Sequence, residues 1–293
     1  MTSALETTAV SKRYGRTWAL RDCTLAIPNG CVAAVVGPNG AGKTTLMRLA
    51  VGLRRPTEGS VSVFGRTPRD DEASLARIGF VAQETPLYLD LTVADHIEMG
   101  RRLNGHSWDG SSAVDRVGKL AIPLDRRAGD LSGGQRAQVA LSIALAKRPD
   151  LLVLDEPVAS LDPLARRAFL SELMGEVAAR DLTVLLSSHL IADLEHRCDH
   201  LVILSHARVQ VLGDVDNLLE AHRVLVGPVE ATAPDAVVVT SSEAGPLRRL
   251  VVRSDQPIDP PGWAVEPISL EDLVVAYLSE PEAGLLPGPG GKA

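Results

Sequence analysis

Residues 31–45 read Cys31-Val32-Ala33-Ala34-Val35-Val36-Gly37-Pro38-Asn39-Gly40-Ala41-Gly42-Lys43-Thr44-Thr45. The run of small apolar residues up to Val36 is the pattern of a strand buried on both faces. It passes into a glycine-rich turn and then a helix-like stretch from Lys43 to Val51. Gly37 to Thr44 satisfies G-x-x-x-x-G-K-[ST] in the strand–loop–helix context that gives this pattern its meaning. Glycines let backbone N–H groups curl around a phosphate without a Cβ in the way. The helix behind the turn points its positive end at the anion. Lys43 supplies a point charge to the β- and γ-phosphates, and the Thr44 hydroxyl is placed to ligate Mg2+. The competing reading is a glycine-rich turn that binds nothing, and the flanking strand and helix weigh against it.

Leu151-Leu152-Val153-Leu154-Asp155-Glu156-Pro157 is a second buried strand, and it ends in two adjacent carboxylates. In a doubly wound sheet the strand C-termini face the ligand crevice, so both acids arrive beside the γ-phosphate. Asp155 is then the partner of Mg2+ and Glu156 the base that polarises the attacking water. Between and beyond these segments, a strand at 78–82, a mainly helical stretch at 92–128, helices at 135–147 and 163–180, a strand at 183–187 and a short helix from Leu190 alternate. That alternation implies a parallel sheet with crossover helices. Strands within Val10 to Asn29 form an antiparallel N-terminal part, and 201–204 with 209–212 close the sheet. The fold class is therefore α/β: a P-loop-type parallel sheet, an antiparallel N-terminal β subdomain, a helical subdomain and a small α+β appendage. The expected boundaries are 5–221 for the main domain, with its helical part at about 84–147, and 222–279 for the appendage. The appendage has short Val-rich runs, and Ser269-Leu270-Glu271-Asp272 opens its last helix as a capping box. Residues 280–293, rich in Gly and Pro, read as a disordered tail.

Leu131-Ser132-Gly133-Gly134-Gln135 precedes the helix at 135–147 and is another glycine-rich helix start; alone it could be a simple N-cap. Its place between the phosphate loop and Asp155-Glu156 resembles the ATP-binding cassette family, in which LSGGQ is the signature motif. The resemblance covers about residues 5 to 217. It implies that Tyr14 stacks on adenine and that Gln83 approaches Mg2+ and senses a transmembrane partner. It also implies that Ser160-Leu161-Asp162 is the loop communicating across a dimer and that His189 is the switch histidine at the γ-phosphate. The expected site is thus Lys43, Gln83, Glu156 and His189 for catalysis, with Thr44, Gln83 and Asp155 for the metal. Tyr14, Gly37, Pro38, Asn39, Gly40, Ala41, Gly42, Lys43, Thr44, Thr45, Ser132, Gly133, Gly134, Gln135 and Asp162 would contact ATP. Two departures are noted: Ala82 stands where the family often has Pro, and Val158-Ala159 where it often has small polar residues.

The family pattern puts ATP between two cassettes head to tail, the loop and carboxylates from one copy and the Ser132-Gly133-Gly134 donors from the other. One chain carries every motif, so a homodimer is expected. Lys and Arg number 30 against 37 Asp and Glu, a net charge of −7, and aromatic residues are only 3 % of the chain. That balance argues against nucleic-acid recognition, which draws on a basic footprint and stacking rings. No apolar run reaches the ~20 residues of a spanning helix, so a membrane role would go through a separate permease, at the cytoplasmic face of the cell membrane. A chromosome-maintenance cassette would need a long coiled coil between Lys43 and Ser132, and no sustained heptads occur there. A phosphotransferase would leave Leu131 to Gln135 unexplained. The ending from Glu266 to Leu278 resembles drug-exporter-type bacterial cassettes and implies export of a drug, antibiotic or lipid-like molecule; an importer subunit is the alternative, followed by a non-transport cassette ATPase acting on nucleic acid or the ribosome.

Overall fold

The computed structural model describes residues 3–84, 87–159, 161–188, 195, 197–232 and 235–280. His189, Ser160, the helix expected from Leu190 and the tail from 281 onward lie outside the described residues.

A six-stranded sheet forms the centre, in the order β5 (Ile78–Val81), β6 (Leu151–Asp155), β7 (Thr183–Ser187), β3 (Val32–Val36), β8 (His200–Ser205) and β9 (Arg208–Asp214). All neighbours are parallel except β8 and β9. Every residue of β3, β6, β7 and β8 is buried. This is why those segments read as unbroken apolar runs and not as alternating ones: helices and a second sheet cover both faces.

On one face lie α1 (Lys43–Ala50) and a three-stranded antiparallel sheet, β2 (Thr17–Pro28), β1 (Ser3–Tyr14) and β4 (Glu58–Val63). Leu5, Leu20, Ile27, Leu46, Met47 and Val153 make the core there. The sequence places the first strand at Val10, whereas β1 begins at Ser3. A register shift between Thr7 and Val10, with Ala9 at φ 48°, breaks the alternation that would have revealed the earlier part. Strand β4 also escaped the sequence, because only Val61 and Val63 of its six residues are buried.

On the other face α5 (Gly133–Ala146) and α6 (Pro163–Ala179) pack Leu141, Leu145, Phe169 and Leu173 against Val36, Leu154 and Leu186. A small separate core of Val93, Ile97, Ala113, Val117 and Val139 joins α5 to α3 (Val93–Asn104) and α4 (Gly110–Lys119). Arg116 on α4 reaches across to Glu172 and Glu176 on α6, and so ties this helical part to the sheet-bearing part. The short helix α2 (Glu72–Ala76) precedes β5.

After α7 (Val215–Glu220) the chain forms a four-stranded antiparallel sheet, β11 (Val237–Ala244), β12 (Leu247–Arg253), β10 (His222–Pro228) and β13 (Ala264–Pro267), and then α8 (Leu270–Ser279). Its strands have a small core of their own around Trp263. Val224, Val251, Leu273, Val274 and Tyr277, however, belong to the same core as Leu201 and Ile203 of the central sheet. Polar contacts strengthen that attachment. His222 Nδ1 lies 2.6 Å from the Leu218 carbonyl and Nε2 lies 2.8 Å from the Tyr277 hydroxyl. A carbonyl only accepts, so Nδ1 carries the proton and Nε2 accepts from the phenol. Burial holds this imidazole below its ordinary pKa and pushes the Tyr277 phenol up to about 12.

Candidate active site

Gly42 is the N-cap of α1 at φ 110°, a conformation that favours glycine, and a Cβ there would stand 2.4 Å from the Ala19 carbonyl oxygen. No side chain caps this helix and no acid occupies its first turn. Its first amides therefore have no side-chain cap of their own, which suits them to phosphate. Lys43 is only 5 % exposed, and its ammonium is folded over the loop. Nζ donates to the Gly37 carbonyl at 2.8 Å and the Pro38 carbonyl at 3.4 Å, and it stands 3.3 Å from Glu156 Oε1.

Strand β6 brings Asp155 to the rear of the same place. Its Oδ1 accepts from the Thr44 hydroxyl at 3.1 Å and from the Ser187 hydroxyl at 3.0 Å. The Ser187 oxygen in turn accepts the Glu156 N–H at 2.8 Å. Glu156 has φ 47°, in the left-handed region that a non-glycine residue seldom occupies. Such strain persists only where surrounding contacts hold it, and it gathers at functional sites.

These groups open on a cleft of about 430 Å³ lined by Tyr14, Ala19, Asn39, Gly40, Gly42, Lys43, Thr44, Thr45, Gln83 and Glu156. Tyr14 is 43 % exposed, and the Lys12 ammonium lies 5.4 Å from its ring centroid. Gln83 is exposed at the end of β5. Ala41 is different: its side chain is buried in the core under the loop, so only its backbone is available to a ligand. Pro38 lends a carbonyl to Lys43 and to the Ala41 amide.

The other expected contacts lie elsewhere in this chain. Ser132 caps α5, its Oγ accepting the Gln135 N–H at 3.2 Å while its own N–H donates to Gln135 Oε1 at 3.0 Å. Asp162 caps α6, accepting from the amides of Leu164 and Ala165. The two turns adjoin, since a Cβ on Gly134 would stand 2.9 Å from Ala165 Cβ. Neither turn lines the cleft. After Gln83, Leu87 packs partly into the small helical core, whereas Tyr88 and Leu89 are 64 % and 59 % exposed. The buried His96 fixes this turn, accepting the Tyr88 N–H at 3.0 Å through Nε2.

Ser187 is the residue that motif reading missed. The available signal was a hydroxyl closing an otherwise apolar strand, in direct register with Asp155.

The donor set suits Mg2+. Thr44 and Asp155 offer hard oxygens 3.1 Å apart, with the Gln83 side chain across the cleft. Among the described residues no group of three or more His, Cys, Asp or Glu side chains could hold a metal alone. Mg2+ commonly binds through one or two carboxylates together with phosphate oxygens and water, and Asp155 with Thr44 would supply the protein's share of such a set.

Residues 20–159 match the ABC transporter family. The sulfate/thiosulfate import ATP-binding protein CysA of Synechococcus elongatus is 35 % identical over 216 residues, 71 % of this chain and 62 % of that protein. The chain thus spans less than two thirds of that relative's length. The Nod factor export ATP-binding protein I of Burkholderia orbicola is 32 % identical over 231 residues, 77 % of this chain and 75 % of that protein. A solved ATP-binding subunit of an ABC transporter superposes with a TM-score of 0.67 at 30 % identity, covering 74 % of this chain and 92 % of that one. With a phosphate loop, paired carboxylates and a glycine-rich second helix start in one α/β fold, the chain belongs to the ABC transporter family.

Proposed function

We propose that this chain is the ATP-hydrolysing subunit of an exporter that moves a drug, antibiotic or lipid-like molecule through a separate permease. It works as a homodimer at the cytoplasmic face of the cell membrane. The observation that carries the catalytic part is the convergence of Lys43, Thr44 and Glu156 on one cleft, with Asp155 bonded to Thr44 behind them.

ATP enters with its phosphates over the α1 amides and its base against Tyr14. A γ-phosphate beside Lys43 gives the ammonium a new anionic partner, and the Glu156 carboxylate turns from Lys43 toward water. Glu156 takes a proton as the water oxygen attacks the γ-phosphorus, and the bond to the β,γ-bridging oxygen breaks, giving ADP and phosphate. Thr44, Asp155 and Gln83 would hold Mg2+, which would supply charge neutralisation on the triphosphate. Asp155 keeps its orientation through its two hydroxyl donors.

The dimer follows from what one copy lacks. Among the described residues the Ser132 turn does not line the cleft, so a second copy supplies it head to tail. The exposed Tyr88 and Leu89, held by His96 just beyond Gln83, offer the permease a contact that a nucleotide-dependent movement of Gln83 can reach. Among the described residues no helix is long and apolar enough to cross a membrane, which suits a permease on another polypeptide.

Export is supported by the C-terminal ending, where Ser269 caps α8 and the helix seals onto the cassette core. It is also supported by the broader coverage of the Nod factor export relative. Import is the second reading, favoured by the sulfate/thiosulfate import relative. Phosphate release from MgATP by the purified chain tests the enzyme. Inverted vesicles carrying chain and permease test direction: ATP-driven accumulation of a lipophilic dye inside them supports export, and ATP-driven release of preloaded sulfate supports import.

A further inference from the structure

Ser187 joins the two carboxylate positions through a single oxygen. It is fully buried, stands opposite Asp155 in the β6–β7 register, donates to Asp155 Oδ1 at 3.0 Å and accepts the Glu156 N–H at 2.8 Å. A hydroxyl is the smallest side chain that can give a hydrogen bond and take one at the same time. One of these two bonds falls on a residue with a strained backbone. Glu156 sits at φ 47°, and the Ser187 oxygen accepts the amide that this conformation turns inward. Asp155 Oδ1 receives Thr44 from the phosphate loop and Ser187 from the sheet, so the carboxylate is clamped between the element that binds the triphosphate and the element beside it.

The geometry points to Ser187 as a positioning residue for hydrolysis: it holds the strained Glu156 backbone and the Asp155 carboxylate in the arrangement that the water-activating step requires. The inference rests on the hydrolytic reading of Glu156 given above. It makes no contact with nucleotide and does not itself move a proton. Without the hydroxyl, the Glu156 amide loses its acceptor in a region with little water, and the residue can relax out of the left-handed conformation. The Glu156 carboxylate then leaves the line of attack while the phosphate loop, Lys43 and Tyr14 remain as they were.

The test compares Ser187→Ala and Ser187→Thr with the unmodified chain. For Ser187→Ala, kcat for ATP falls about 10- to 100-fold, as expected when one buried partner is removed from an amide that positions a catalytic group. Affinity for a fluorescent ATP analogue stays within about threefold, because Ser187 lies outside the cleft lining. Without nucleotide, hydrogen exchange at the Glu156 amide speeds up in the Ala variant and returns toward the original rate in the Thr variant, together with kcat. Wild-type kcat with unchanged Glu156 exchange in Ser187→Ala would overturn the assignment, and so would a loss of nucleotide affinity that matches the loss of kcat. Glu156→Gln serves as the control. If it keeps its turnover, the hydrolytic reading itself fails; if it is inactive while Ser187→Ala is not, only the positioning role does.

Discussion

The helices that begin at Lys43 and at Gly133 both follow glycine-rich turns, yet their first amides are treated in opposite ways. At Lys43 no side chain caps the helix, and the loop's polar groups are drawn inward to Glu156 and Asp155. At Gly133 the helix start is closed by a reciprocal pair between Ser132 and Gln135, and the turn faces outward. The first is a half-site already gathered around a place for phosphate. The second is a stable, self-satisfied edge whose glycines leave room in front of it. A Cβ on Gly133 meets nothing within 4 Å among the described residues. In the dimer proposed above, a second copy brings these two turns together over one nucleotide.

Four substitutions break or sharpen that contrast. Glu156→Gln should cut steady-state phosphate release by at least about 100-fold, the usual reach of a general base, while binding of a fluorescent ATP analogue persists. Turnover near normal would remove Glu156 from the loop half-site. Lys43→Ala should weaken that same binding by about 10- to 150-fold, corresponding to about 1.5–3 kcal/mol for charge-assisted hydrogen bonds. Equal affinities in a titration would deny the loop its phosphate. Ser132→Ala attacks the other half. Loss of the cap should cost about 1 kcal/mol in denaturant unfolding, and turnover should fall although the cleft in the same chain is untouched. If only stability changes, the turn is a cap and nothing more. Tyr14→Ala has the smallest expected effect, about 1 kcal/mol or a fivefold loss of nucleotide affinity, since an exposed ring stacks without being desolvated on all sides. Competition between ATP and inorganic triphosphate separates this from a phosphate effect: only ATP should lose affinity.

The parts of this contrast that could be read from the sequence are the parts with strong local patterning. Val32 to Val36 and Leu151 to Asp155 are buried on both faces, so their apolar runs announced strands, and the phosphate loop and carboxylates follow at their ends. Strand β4 and the start of β1 were hidden because their alternation is weak or interrupted by a bulge. Helix α7 and strand β13 are too short for their periodicity to show. Ser187 carries no motif, and its meaning comes from the parallel register that sets it opposite Asp155. Gln135 and Asp162 serve as caps within the chain, a use that a local pattern alone cannot separate from the nucleotide contact expected of them in a dimer. The C-terminal segment was legible as strands and a final helix. Its attachment was not, because the shared core of Val224, Val251 and Tyr277 with Leu201 depends on tertiary placement.

The claim that a second copy completes the cleft is tested most directly by the mass in solution of the Glu156→Gln chain, measured by light scattering at saturating MgATP, with and without a Gly133→Arg substitution. The open space at Gly133 means that the arginine leaves the fold of one copy intact, as an unchanged melting curve will verify. The account predicts twice the chain mass for Glu156→Gln and a single chain mass once the arginine blocks the turn. A Glu156→Gln chain that binds ATP and stays monomeric, or a dimer that forms equally well with Gly133→Arg, would contradict it.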